Sequence, residues 1–411
     1  MRPEETMNFN RPPNPELTLG AKRLDYFGDY IFSRLSKQKA KIEKETGEKV
    51  LDFGAGNPDF PPSEKLIDKL SEFIHEKDAH YYPGYKAIPE FRDGIIHWYE
   101  KRFSVHLEEN ELMPLLGAKN AIAYLPLAFL NQGDEVLRPD PGYQGYDGPI
   151  LIADGNVALY NLNEANNFKI NFNSLKRSIT PKTRFIYFNA PSNPTAATTD
   201  INEMKQLVDL VNSVNQQKKT REKKLFIVSD FAYADITFDN YQAPSILEIP
   251  GAKKVAIELQ SMSKTCSLAG YRIGYAVGNS EILARLSQIK NQYDSGLTKP
   301  LQKMAAHALT NFDKDWQKKM ISEYQSRSQK IKKYFEKIEL TGKEPKASLY
   351  RWLKIPDNFK NSEDFAQKLL NEKRILVTPG TAFGKSSACQ NHVRVSICVD
   401  ISKIDNYDWN L

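Results

Sequence analysis

The chain has 411 residues, 40% of them hydrophobic and 26% charged, with a formal net charge of +6. That length exceeds one ordinary core, so at least two lobes are expected, and so thinly spread a charge does not call for nucleic acid. Three cysteines without a CxxC pair argue against a disulfide framework and a zinc site, and fit a reducing compartment.

The opening stretch, "MRPEETMNFNRPPNPEL", carries acids and prolines where a signal peptide needs a continuous apolar run. The next, "YFGDYIFSRLSKQKAKIEKETG", has apolar residues at near-helical spacing and stops at Gly47. From "KVLDFGAGNPDF" onward, apolar strands alternate with amphipathic helices: "ELMPLLG" before "AKNAIAYLPLAFL", then "DEVLRPDPGY", "RFIYFNAP", "MKQLVDLVNSV", "LFIVSDFAY", "VAIELQSMSK" and "RIGYAVG". Such alternation predicts an α/β fold, a large domain whose mostly parallel sheet is sandwiched by helices. Its longest apolar run, Ala121 to Leu130, is well short of the ~18 residues of a membrane span, so a cytoplasmic protein is expected. The basic run "KKTREKK", Lys218 to Lys224, reads as a solvated loop without aromatics for stacking on bases.

Beyond about Asn311 the pattern changes to a long charged helix ("WQKKMISEYQSRSQKIKKYFEKI"), then "ASLYRWLKI", another helix and "HVRVSICV". This predicts a smaller α+β domain built from both ends of the chain. The expected boundaries are 1–48 for the arm and helix of the small domain, 49–310 for the large domain and 311–411 for the rest of the small one.

In open parallel sheets, ligands bind beyond the carboxyl ends of the strands, and four such ends are unusually polar here. "LLGAKN" puts Gly117, Ala118 and Lys119 at a strand-to-helix turn, where backbone N–H groups make an anion site. "IYFNAPSNPT" delivers Asn193, "FIVSDFAY" delivers Asp230 and Tyr233, and "IELQSMSK" delivers Ser261, Ser263 and Lys264, with Arg272 eight residues on. A phosphate wants amides, hydroxyls and a guanidinium together, and a buried Asp230 wants a cation. Pyridoxal phosphate meets these requirements at once, with a phosphate, an aldehyde for Lys264, an aromatic face for Tyr143, a ring oxygen for Asn193 and Tyr233, and a pyridinium nitrogen for Asp230.

The order of "GAKN", "PDPGY", "NAPSNPT", "SDFAY", "SMSKTCSLAGYRIG" and "VRVS" resembles the class I/II aminotransferases of pyridoxal-phosphate fold type I, nearest to the aspartate and diaminopimelate branch. The resemblance covers nearly the whole chain. It implies that Lys264 is the Schiff-base lysine, Asp230 the partner of the pyridine nitrogen, and Asn193 and Tyr233 the ring-oxygen ligands. Tyr143 becomes the stacking aromatic, and Ser261, Ser263 and Arg272 the phosphate anchors. Arg394 becomes the α-carboxylate fork, Gly56 lines the substrate cleft, and Tyr82 reaches the phosphate of a neighbouring subunit in an obligate homodimer. The implied reaction moves an amino group from an acidic or diaminopimelate-type amino acid to a 2-oxo acid such as 2-oxoglutarate, by a ping-pong mechanism. Departures from the family pattern are Ala87 and Ala196 in place of glycines, and a glycine-poor stretch between Gly384 and Arg394.

Simpler readings stand beside these. Arg394 in an alternating strand could face solvent, Tyr82 sits beside Tyr81 and Tyr85 and could be packing, and Cys266 reads as a small packed side chain. The histidines show no HExxH spacing, and "GAGNPD" lacks the third glycine of a dinucleotide fingerprint, so neither a metal nor a nucleotide is expected. Two rival functions share the scaffold: a carbon–sulfur lyase or other eliminating enzyme, and a non-catalytic cofactor-binding regulator, against which the single helix before the first strand argues.

Overall fold

The computed structural model describes residues 20–21, 23–24, 27, 31–218, 223–400, 402, 404 and 409. The expected proline-rich arm and the centre of the "KKTREKK" loop lie outside these residues.

Twelve strands occur among the described residues: β1 Leu51–Asp52, β2 Leu112–Leu115, β3 Glu135–Asp140, β4 Asn156–Asn161, β5 Thr183–Asn189, β6 Phe226–Asp230, β7 Ala256–Ser261, β8 Gly274–Gly278, β9 Tyr350–Lys354, β10 Ile375–Leu376, β11 Thr378–Pro379 and β12 His392–Ser396. The large sheet has the order β2-β8-β7-β6-β5-β3-β4. Its β8 runs antiparallel to both β2 and β7, while the pairs from β7 across to β4 are parallel. Period-two geometry explains why these strands read as continuous apolar runs. Phe185 and Tyr187 of β5 join one core with Val228 and Ile257, whereas Ile186 and Phe188 join the opposite core with Ile227 and Val277. Helix Ala118–Phe129 covers the first face through Ala121, Ile122 and Leu125. Helix Pro89–Phe103 covers the second through Phe91, Ile95 and Tyr99.

β4 was not evident as a strand because only two of its six residues are buried, two being exposed and two partly buried, and it forms the sheet edge. The first strand-like run also differs from expectation. β1 is two residues long and pairs with β10, outside the large sheet. Leu51 and Phe53 pack in a third core with Met320, Tyr324, Ile331 and Phe335 of helix Lys314–Glu336 and with Val393 and Val395 of β12. β12 lies between β11 and β9, antiparallel to each. No helix among the described residues is long and apolar enough to cross a membrane.

The two alanine departures fare differently. Ala196 is buried at φ 55°, in the left-handed region that costs a residue with a Cβ about 1–2 kcal/mol, so the alanine keeps the turn under strain. Ala87 is absent from the positive-φ residues and packs against the large core, so no glycine conformation is required there.

Candidate active site

A cavity of about 520 Å³ opens at the carboxyl ends of β6 and β7. It gathers Gly56, Ala118, Lys119, Tyr143, Asn193, Asp230, Tyr233, Ser261, Ser263, Lys264, Arg272 and Arg394 from segments far apart in the chain. Gly117 stands just behind it as the N-cap of helix Ala118–Phe129, at φ 77°. A side chain there would come within 2.7 Å of the Arg272 guanidinium, so glycine lets the arginine lie against the helix start. Arg272 itself is exposed, at φ 58°, and donates from Nη1 to the Ala269 carbonyl at 2.8 Å.

β7 ends directly in a one-turn helix, Met262–Thr265, whose N-cap Ser261 accepts from the Ser263 amide at 3.3 Å. That turn projects Lys264 into the cavity, where Nζ donates to the Gly56 carbonyl at 3.0 Å and lies 5.8 Å from the Tyr233 ring centre. Burial, with Arg394 and Arg272 adding repulsion, lowers its pKa to about 8, against the influence of Cys398. The ordinary value is 10.5, so between the two the unfolded chain holds more protons than the folded one. Stability therefore rises as pH climbs from about 8 to 10.5, and the full penalty applies below 8. In ligand-free protein, the unfolding free energy of wild type relative to Lys264→Met should gain up to roughly 3 kcal/mol across that window. Denaturant melts at a series of pH values check this, and a flat difference would contradict it.

Asp230 ends β6 and is buried, with no ion-pair partner among the described residues. Its Oδ2 accepts from the Tyr146 hydroxyl at 2.7 Å. Burial raises its pKa, and donation from Tyr146 and the Ala232 amide opposes that shift. Tyr233 donates to, or accepts from, the Tyr350 hydroxyl at 3.0 Å.

Arg394 is 1% exposed, so the solvent-facing reading of its strand is incorrect. The residues of this strand alternate faces, but all five from His392 to Ser396 are buried, so neither face meets water, and the Arg394 side chain faces the cavity. Nη1 donates to Asn193 Oδ1 at 3.0 Å and Nη2 to the Gly54 carbonyl at 2.7 Å, while the guanidinium lies 4.2 Å from the Tyr350 ring centre. The Gly54–Gly56 loop thus offers carbonyls to both cations. Asp52 Oδ1 pins that loop by accepting from the Gly54 and Ala55 amides at 2.9 and 3.2 Å. Gly56 is obligatory on steric grounds, because a Cβ would stand 2.1 Å from the Tyr350 hydroxyl.

Tyr82 is not brought to this cavity; it is 88% exposed, beside the exposed Tyr81 and Tyr85. Cys266 is buried, as a packed side chain should be.

Residues 48–407 match the family model for class I and II aminotransferases. The chain is 36% identical to the LL-diaminopimelate aminotransferase of Aquifex aeolicus over 93% of its own length and 95% of that protein. The chain belongs to the class I and II aminotransferase family. Two solved structures are similar. An aminotransferase from Staphylococcus aureus has a TM-score of 0.79 and 30% identity, covering 94% of this chain and 96% of that one. Substrate-bound BacF from Bacillus subtilis has a TM-score of 0.85 and 27% identity, covering 95% and 96%.

Sequence reasoning missed several residues at the site of this aminotransferase. Tyr350, itself lining the cavity, holds Tyr233, Tyr146 holds Asp230 from behind, and Phe32, Leu35 and Ser36 of helix Ile31–Thr46 wall the cavity. The one available signal was the repeat of tyrosine at 143 and 146 in "PGYQGY", which a single turn can aim at neighbouring targets.

Proposed function

We propose that this aminotransferase uses pyridoxal 5'-phosphate to move an amino group from a diaminopimelate-type amino acid to 2-oxoglutarate. The observation that carries the reading is Lys264 Nζ in one cavity with a buried, uncompensated Asp230 and a buried Arg394. These residues suit the cofactor. Asp230 offers a carboxylate without a cation, and the start of helix Ala118–Phe129 with Ser261, Ser263 and Arg272 offers amides, hydroxyls and a guanidinium for a phosphate. When bound, the cofactor supplies an aldehyde to carry the amino group and a pyridinium ring to accept the charge left at Cα.

The chain's own residues supply the rest. Arg394 binds the α-carboxylate of donor and acceptor alike with its planar fork. Lys264 Nζ takes and returns the Cα proton, and a pKa near 8 leaves an appreciable neutral fraction for this at physiological pH. Asp230 balances a protonated ring nitrogen, Tyr143 packs on the ring face, and Asn193 and Tyr233 hold its ring oxygen. Tyr233 and Tyr350 give the cavity an aromatic wall. The reading includes a homodimer in which Tyr82 completes the neighbouring subunit's phosphate site; exposure of Tyr81, Tyr82 and Tyr85 together supports a buried surface there.

Purified protein incubated with pyridoxal phosphate and 2-oxoglutarate should form glutamate stoichiometrically with LL-diaminopimelate as donor, and sediment as two chains. Release of ammonia and pyruvate from a sulfur amino acid, without glutamate, would replace the reading with a lyase. A one-chain mass in active protein would remove the dimer.

A further inference from the structure

Behind the cavity wall, the turn Gln144–Tyr146 follows β3 and carries two rings with different targets. Tyr143, just before it, faces the cavity, and Tyr146 lies perpendicular to it at 5.3 Å, fully buried. Gly145 makes this possible, since a Cβ there would meet the Tyr143 ring at 2.4 Å. Tyr146 then stacks on Tyr187 of β5, with centroids 4.0 Å apart and planes at 11°, which fixes the direction of its hydroxyl. The hydroxyl reaches Asp230 Oδ2 at 2.7 Å. Tyr187 is equally buried, but its hydroxyl has no hydrogen-bond partner among the described residues. The stacked pair therefore presents one hydroxyl to the carboxylate and one that bonds nothing among the described residues.

We propose that Tyr146 is a positioning residue that orients the Asp230 carboxylate and keeps it ionised, so that Asp230 can hold a protonated ring nitrogen. The proposal deepens the pyridoxal phosphate reading and rests on it for the role of Asp230. A hydroxyl that can only donate to a carboxylate oxygen favours the charged form, and in a buried site that preference is large. It also leaves Oδ1, which accepts from the Ala232 amide at 3.4 Å, as the other oxygen of the pair. The titratable groups facing Asp230 are Tyr146 and Tyr187 from behind and Tyr233 from the side, while Lys264, Arg272 and Arg394 share its cavity.

The test uses the full chain with ¹³C-labelled aspartate carboxylates, the Asp230 resonance being assigned by its loss in Asp230→Asn. Without cofactor, Tyr146→Phe should raise the Asp230 titration midpoint by about one pH unit, and Tyr187→Phe should leave it unchanged. Tyr146→His, which returns an N–H donor to the turn, should recover part of the shift. With cofactor bound, the ¹⁵N signal of the ring nitrogen in Tyr146→Phe should lose its protonated character at a lower pH than in wild type, and kcat should fall about tenfold with donor KM changed less than twofold. An unchanged midpoint in Tyr146→Phe, or an equal shift in Tyr187→Phe, overturns the proposal. If wild type takes up no pyridoxal phosphate, the functional reading fails instead, and the cofactor-free titration still decides what Tyr146 does to Asp230.

Discussion

Lys264→Ala should lower the rate of amino transfer by at least about 10⁴-fold while leaving the fold intact. The side chain contributes a single hydrogen bond, to the Gly56 carbonyl at 3.0 Å, and its ammonium is disfavoured where it stands. Deleting it removes a partly buried cation without stranding a carboxylate, because Asp230 is held by Tyr146 and the Ala232 amide. Melting temperature at neutral pH should therefore be unchanged or slightly higher. No other amine is projected from the turn that ends β7, so neither the covalent attachment nor the Cα proton transfer has a substitute there. Borohydride reduction followed by peptide mapping should give a pyridoxyl adduct on the peptide containing Lys264 in wild type and none in the variant. Activity within tenfold of wild type would remove Lys264 from the chemistry.

Arg394→Lys should reduce kcat/KM for amino acid donors about 100-fold, chiefly through KM, with cofactor binding preserved. The arginine works in two directions at once, donating to Asn193 Oδ1 at 3.0 Å and to the Gly54 carbonyl at 2.7 Å while its plane lies over Tyr350. An ammonium is a point charge on a flexible stem and cannot present two parallel donors to a carboxylate while keeping both of those contacts. Loss of one charge-assisted bond to a substrate oxygen, at ~1.5–3 kcal/mol, corresponds to roughly ten- to 150-fold in affinity. Steady-state kinetics over a range of donor concentrations, with a dicarboxylate inhibitor titrated in parallel, separate the effect on binding from that on turnover. A KM within threefold of wild type would place the substrate carboxylate elsewhere. The same variant should change the Asn193 loop little, since the Asn193 amide also donates to Asn189 Oδ1 at 2.8 Å.

Much of the large sheet was legible because its signals are local. A strand buried on both faces writes an unbroken apolar run, and the polar residues that end β6 and β7 mark the side on which a ligand can bind. The same locality explains what was misread. β1 has only two paired residues, too few to announce which sheet it joins, and β4 carries an edge pattern without a continuous apolar face. The solvent-facing alternative for Arg394, set beside its carboxylate role, followed from alternation alone, which separates two faces of a strand but does not say whether either meets water.

The amino-acid order alone determined the reactive groups available at each strand end, the glycine before helix Ala118–Phe129 and the turn that carries Lys264, since each depends on neighbours a few positions away. Tertiary packing decided that Tyr146 reaches Asp230 across 84 positions, Tyr350 reaches Tyr233 across 117, and the Gly56 carbonyl reaches Lys264 across 208. Backbone periodicity can aim a side chain within its own element, but the distance between remote elements is set by how their cores close on one another, and the charge balance of the cavity follows from those distances.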